Sequence, residues 1–168
     1  MWIGLVGSEM CIRDRIKVSV KWDGAPAVVC GVNPDNGRFF VGTKSVFNPG
    51  TPKINYTKRD IAKNHGTDEL GQKLLKCLVH LKKIGMNGVY QGDLLFTDED
   101  IKRKNIDGKP HLTFTPNTIT YAVPEGGDLA KQIDRAKVGI IFHTTYAGET
   151  LADMTASGGA DVSTFAKS

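Results

Sequence analysis

Very little in this sequence points to the cell exterior or to a membrane. Three cysteines in 168 residues are too few for a disulfide framework. Cys11 falls in an unusual leading segment, and Cys30 and Cys77 stand in apolar surroundings, as buried free thiols do. Neither the cysteines nor His65, His80, His111 and His143 are spaced as zinc ligands, so each histidine reads as a structural one. No apolar run approaches the roughly 18 residues of a membrane span. There is no internal repeat, and no low-complexity run ahead of the small, polar tail 155–168. Charge of one sign is barely in excess. The 22 basic and 18 acidic residues leave +4, which permits contact with nucleic acid without demanding it. What remains is one domain of ordinary globular composition, 40% hydrophobic and 24% charged, expected in a reducing, cytoplasmic setting.

Residues 1–15, MWIGLVGSEMCIRDR, resemble a translated sequencing-adapter segment. Their apolar part is brief, the charges lie on the wrong side for a signal sequence, and no cleavage site follows. They are expected to be non-native and are set aside from fold reasoning. With the polar tail at the other end, the expectation is an internal fragment of a longer protein.

The rest alternates strand and helix signals. Ile16–Trp22 and Ala27–Val32 are apolar, β-branched runs that read as strands. Asn33-Pro-Asp-Asn-Gly37 is a turn, because Asn-Gly accepts positive φ cheaply, and Arg38–Thr43 reads as the return strand. Residues 48–56 read as loop and Tyr56–Asn64 as a short helix ending near Gly66. The clearest helix is Asp68–Ile84. Thr67 is its expected cap, Leu70, Leu74, Cys77, Leu78, Leu81 and Ile84 form one apolar face, and Gly85 ends it. Gly88–Phe96 reads as a strand, Thr97–Lys104 as a helical turn and Ile106–Lys109 as a tight turn. His111–Phe114 and Thr118–Val123 read as strands, Asp128–Ala136 as a helix and Val138–Thr145 as a strand. Strands predominate and helices interrupt them irregularly. The fold class predicted is α+β, with mostly antiparallel sheets and flanking helices.

Lys21-Trp22-Asp23-Gly24 sits between the first two strand signals. A lysine at a strand end before an Asp-Gly turn matches K-x-D-G, the first motif of the covalent nucleotidyltransferases, which include ATP-dependent DNA ligases, RNA ligases and mRNA capping enzymes. About seventy residues on, Val89-Tyr-Gln-Gly-Asp-Leu-Leu-Phe96 resembles their third motif, an apolar strand carrying Gly-Glu, with Asp93 as the carboxylate. Gly42-Thr-Lys-Ser45 takes the place of the motif that supplies an arginine to the nucleotide, with Lys44 instead. Ile119-Thr-Tyr-Ala-Val-Pro124 resembles the aromatic strand that follows the third motif, with Tyr121 as the base-stacking candidate. The segments KWDGAPAV, YQGDLLF and GIIFHTTY also resemble an uncharacterised family of tailed-phage proteins related to such ligases.

The resemblance implies a partial adenylation domain over 16–168 that lacks its C-terminal part. It would use ATP and Mg²⁺ to form a lysyl-AMP intermediate on Lys21. The nucleotide would then pass to the 5′-phosphate of RNA or DNA, in the host cytoplasm if the gene is phage-encoded. In this scheme Lys21 is the nucleophile, and Asp23 and Gly24 shape the turn that presents it. Lys44 would neutralise phosphate charge, Asp93 would hold a ribose hydroxyl or metal-bound water, and Tyr121 would stack on the base. The family's fourth motif, E-G-x-V-x-K, is matched in shape by Val138-Gly-Ile-Ile-Phe-His143, with Val138 in place of the glutamate. No K-x-K pair follows it. This polypeptide alone is therefore expected to be a poor enzyme. The alternative is a non-catalytic phage binding or accessory protein that keeps the fold. Each residue also has a plainer reading: Lys21 and Lys44 as solvated lysines, Asp93 as an edge-strand charge, Tyr121 as core.

Overall fold

The structure, a computed structural model, describes residues 2–7, 11–14, 26–160 and 165. The expected strand Ile16–Trp22, with Lys21, Asp23 and Gly24, lies outside the described residues. Ten strands and three α-helices are present among the described residues, in two antiparallel sheets, as the α+β pattern requires.

The larger sheet is built around two long apolar strands, β5 (Val89–Thr97) and β9 (Ala136–Ala147). Beyond β5 come β3 (Ala27–Val32) and β4 (Phe39–Gly42). On the other side of β9 lie β1 (Trp2–Gly7), then β2 (Cys11–Asp14), with β10 (Thr155–Gly158) paired to the end of β9. The leading segment, set aside above, thus joins the sheet through its backbone, Leu5 opposite Gly139. The tail also contributes more than its composition suggests. Besides β10, Phe165 packs edge-on against Tyr90, ring centroids 4.9 Å apart. A lone aromatic among small polar residues finds a partner only in three dimensions.

One face of this sheet is covered by α1 (Lys58–His65) and α2 (Glu69–Leu81). Leu74, Cys77, Leu78 and Leu81 of α2 meet Val28, Cys30, Val41, Tyr90, Leu94, Val138, Ile140 and Phe142. Full burial of each such leucine contributes about 1.5–3 kcal/mol. The apolar face differs from the expected one at its start. Leu70 is 39% exposed and Gly71 is buried instead, with the carbonyl of Gly66 so close that a Cβ at 71 would lie 2.1 Å from it. The expected Thr67 cap is also replaced. Asp68 takes the cap position without a side-chain bond, while the Thr67 carbonyl accepts from Gln72 Nε2 at 3.1 Å. Gly85 ends the following 3₁₀ turn with φ of 66°.

Helix α1 starts with a reciprocal cap. Thr57 Oγ1 accepts from the Asp60 N–H at 3.2 Å, and Asp60 Oδ2 accepts from the Thr57 N–H at 3.0 Å and the Tyr56 N–H at 2.9 Å. Burial alone would raise the Asp60 carboxyl, but these donors outweigh it and hold it below its ordinary value. Thr57→Ala is expected to cost about 1 kcal/mol in urea unfolding.

The second sheet is a three-stranded meander, β6 (Lys102–Ile106), β7 (Lys109–Phe114) and β8 (Tyr121–Pro124). The helical turn expected over Thr97–Lys104 is confined to Thr97–Asp100, where Asp100 Oδ2 accepts from the Thr97 N–H at 2.8 Å. After it the chain extends, because Asp107 and Gly108, at φ 51° and 76°, close a tight hairpin that pairs β6 with β7. The strand expected from Thr118 begins only at Tyr121, since Asn117 Oδ1 accepts from the Ile119 N–H at 2.8 Å and holds a turn there. Leu112 and Phe114, with α3 (Asp128–Arg135), pack on Leu95, Phe96 and Ile141, on the sheet face away from α1 and α2.

Candidate functional site

β5 is buried throughout except at Asp93, which is half-buried in the middle of the strand. Directly opposite Asp93 lie Ala27 of β3 and Ile141 of β9. Ile141 belongs to the cluster formed with the second sheet, whereas its neighbours Ile140 and Phe142 point into the helix-covered core. Asp93 therefore lies on the face away from α1 and α2. On that face one apolar cluster contains Leu95, Phe96 and Ile141, and a second contains Val29, Phe40, Val46, Val89 and Leu151. Asp93 occupies the polar gap between them.

A backbone irregularity brings a second polar group there. The pairing of β5 with β9 shifts between Gln91 and Gly92, so that Gln91 faces Thr144 while Gly92 faces Phe142. His143 is the extra residue of this bulge, a device that re-aims a side chain and bends the strand. Its Nε2 comes within 3.5 Å of Asp93 Oδ1, and its Nδ1 lies 2.7 Å from Thr144 Oγ1. Gly92 is required by the close strand approach, since a Cβ there would meet the Ile141 carbonyl at 2.5 Å. Next in the row, Tyr146 donates its hydroxyl to Gln91 Oε1 at 2.6 Å, and its ring lies 4.6 Å from that of Phe47.

Burial raises the Asp93 carboxyl above its ordinary value, and the neighbouring His143 pulls it back only in part. The arrangement is a desolvated carboxylate beside an imidazole, open on one side. It can accept a hydroxyl proton in a hydrogen bond or give one oxygen to a hard cation. Mg²⁺ is ordinarily held by one or two carboxylates plus substrate phosphates and waters, and a lone Asp93 suits that mode. His143 is a poor Mg²⁺ ligand and is better placed to orient the carboxylate.

Lys44 opens a 3₁₀ turn, Lys44–Phe47, capped by Thr43. It is exposed. Gly42, Val29 and Gln91 lie in one row across β4, β3 and β5. Lys44 and Asp93 each stand two residues further along, toward the same end of the sheet. Val46 and Phe47 seat the turn on Val29 and Tyr146, on the face that carries Asp93. The turn that carries Lys44 thus sits on the same side of the sheet as Asp93. Tyr121 belongs elsewhere: it starts β8, and its ring stacks on Phe114 at 5.4 Å and 20° within the second apolar cluster. Val138, fully buried in the helix-covered core, faces away from Asp93.

His143 was legible only as a structural histidine. It lies fifty residues from Asp93 in an apolar strand, and neither the strand pairing nor the bulge has a local sequence mark. A different concavity, about 160 Å³ between α2 and the end of β5, is walled by Lys73, Lys76, Glu99 and Asp100. Its charges are already matched. Lys73 pairs with Glu69, and Lys76 with Asp98 and Glu99. Lys137 reaches Asp98 as well, at 3.1 Å, which ties α2 to the ends of β5 and β9.

Among the described residues no group of three or more histidine, cysteine or carboxylate side chains is arranged to hold a metal ion. None of their helices is long and apolar enough to cross a membrane. No curated protein and no solved structure matches the chain. A family model matches residues 6–168, and the chain belongs to that family, the family of unknown function DUF6267.

Proposed function

We propose that this chain is part of an ATP-dependent, polynucleotide-ligase-like nucleotidyltransferase that carries AMP on Lys21. The observation that carries the reading is the register of β3 on β5. Ala27 lies opposite Asp93, and the Leu94 N–H donates to the Pro26 carbonyl at 2.9 Å. Pro26 follows Gly24 by two residues, so the chain leaving Lys21-Trp22-Asp23-Gly24 enters the sheet beside a half-buried carboxylate. Lys44, on a turn seated on the same face, supports it.

The chemistry follows from the residue types. An ammonium has no lone pair, so Lys21 must first lose a proton, which nearby positive charge and desolvation promote. Its amine then attacks the α-phosphorus of ATP, the bond to the bridging oxygen breaks, and pyrophosphate leaves. A 5′-phosphate oxygen of RNA or DNA next attacks the same phosphorus and releases Lys21. Such transfers depend mainly on in-line positioning and on neutralising charge at the phosphoryl oxygens. Bound Mg²⁺ would supply part of that charge, with Asp93 as its protein ligand or as acceptor for a ribose hydroxyl. Lys44 would add the rest, and His143 would hold the Asp93 carboxylate in place. Tyr121, packed on Phe114, is assigned no part.

The test is to incubate the full-length protein, of which this chain is proposed to be a part, with α-labelled ATP and Mg²⁺. Acid-labile label on the peptide that contains Lys21 is the expected result. No label, with nucleotide and metal both varied, overturns the reading. Asp93→Asn is expected to slow labelling by about 10²–10³-fold, the usual cost of losing one group that stabilises transition-state charge. Stability should not fall with it. The folded state binds the Asp93 proton more tightly than the unfolded chain, so ionisation opposes folding once pH rises through the carboxylate range. Asparagine removes that penalty, and urea unfolding at neutral pH should give an equal or higher midpoint.

One observation favours the second reading, a non-catalytic binding or accessory protein with the same fold. The position matching the fourth-motif glutamate is Val138, sealed in the core. Label on Lys21 would exclude it.

A further inference from the structure

The outer face of the β6–β7 hairpin carries lysines and no carboxylate on its paired positions. Successive residues of a strand point to opposite faces, and directly paired residues share one. Arg103 points to the inner face, where it pairs with Glu125 and with Asp134. Lys102 and Lys104 therefore point outward. Their cross-strand partners are Thr113 and His111, and Ile106 lies opposite Lys109. All of β6 is exposed, and on this outer face Lys109 of β7 and Ala122 and Pro124 of β8 are exposed as well, while Thr113, beneath Lys102, is buried like Leu112 and Phe114 of the inner side.

Three lysines on this face have no ion-pair partner among the described residues, unlike Lys73, Lys76 and Lys137. Lys102 and Lys104 are separated by two strand residues, about 7 Å. That is close to the step between successive phosphates of an extended single strand. Between the lysines lie the half-buried ring of His111 and the 38% exposed side chain of Ile106. A line of cations interleaved with a flat ring and an apolar side chain is how single-stranded nucleic acid is gripped without sequence preference: phosphates on lysine, bases on the flat groups. An acidic peptide or an anionic membrane would use the lysines and leave the ring without a role.

We propose that single-stranded nucleic acid docks along the outer face of the β6–β7 hairpin, on Lys102, Lys104, Lys109 and His111. The face turns away from Asp93, so it holds the strand and not its reacting end. The choice of a nucleic acid rests in part on the nucleotidyltransferase reading. The docking itself needs no covalent chemistry.

The test is fluorescence anisotropy of the whole chain with end-labelled single-stranded RNA and DNA at several salt concentrations. The variant Lys102→Glu/Lys104→Glu/Lys109→Glu is compared with Lys58→Glu/Lys82→Glu/Lys83→Glu, which changes net charge equally on exposed lysines elsewhere. The hairpin variant should lose about tenfold or more in affinity, and its salt slope should fall by about 2, at roughly 0.7 per phosphate released. The control variant should stay near wild type. His111→Ala should weaken binding with no change in salt slope. Lys102→Gln/Lys104→Gln, without charge reversal, guards against a folding defect. Equal loss in both triple variants, no binding by the wild type, or equal competition by polyglutamate or phosphatidylserine vesicles would overturn the docking surface. ATP labelling of the hairpin variant separates the two ideas. Label without hairpin-dependent binding sinks the docking alone, and binding without label in the full-length protein sinks the nucleotidyltransferase reading alone.

Discussion

Lys21→Ala is expected to abolish the acid-labile nucleotide label, not merely to reduce it. The label requires a nitrogen bonded to the α-phosphorus, and alanine offers none. An acyl adduct at Asp93 would differ in acid and hydroxylamine sensitivity, and an imidazole adduct at His143, acid-labile like the lysyl one, would be told apart by the peptide that carries the label. Lys44 is carried on the turn after β4, and the role proposed for its charge is at a phosphate oxygen, not in the line of attack. Lys21→Arg should be as inert as alanine, because a guanidinium stays protonated at any working pH and lacks a nucleophilic lone pair. Binding of unreacted ATP should survive both substitutions, measured by equilibrium dialysis, since Lys21 is asked to react and not to hold. Label that persists in Lys21→Ala would move the nucleophile elsewhere.

Phe96→Ala is expected to have the largest effect on stability of any single side-chain truncation, about 3–5 kcal/mol. Phe96 is 1% exposed. On one side its ring lies over Gly139 of β9, so close that a Cβ there would be 2.3 Å from it. On the other side the ring of Phe114 is 4.8 Å away, and Phe114 stacks in turn on Tyr121. Phe96 is thus the joint between the two sheets. Truncation leaves a void bounded by a glycine, which has no side chain to swing into it. Against a total of about 5–15 kcal/mol for a typical domain, this loss unfolds a large share of molecules at modest urea. Urea titration by far-ultraviolet dichroism should show the midpoint fall, and Phe96→Leu should recover part of it. A change under about 1 kcal/mol would mean that the sheets are joined elsewhere.

These two predictions differ in what makes them visible. Lys21 announces itself in the chain, because a four-residue motif between two β-branched runs is a local pattern. Phe96 does not: it is one more apolar residue in a buried strand, and its weight comes from Gly139 and Phe114, each separated from it by many residues.

The same division runs through the fold. Helix α2, strands β3, β5 and β9 and the turns at Asn33–Gly37 and Asp107–Gly108 were legible in the sequence. Each depends on neighbours within a few positions: apolar spacing, β-branched runs, residues that accept positive φ. Lys102–Lys104, the first part of the strand Lys102–Ile106, was read as the end of a helical turn over Thr97–Lys104, since four polar residues in a row carry no period of their own. Their extended state is imposed by pairing with β7. Strand β10 and the seat of Phe165 were invisible for the same reason: a short polar strand exists only where β9 offers an edge.

At the candidate site, local chemistry determined which residue types were available: Lys21 before an Asp-Gly turn, Asp93 in an apolar strand and Lys44 after another. Only the tertiary structure decided their company. It set β3 beside β5 so that Ala27 faces Asp93, and inserted one extra residue in β9 so that His143 reaches the same carboxylate. It placed Val138 on the opposite face and occupied Tyr121 with Phe114. Register and bulges depend on strands far apart in sequence, and a shift of one residue reverses every side chain. No local pattern in the chain can encode that.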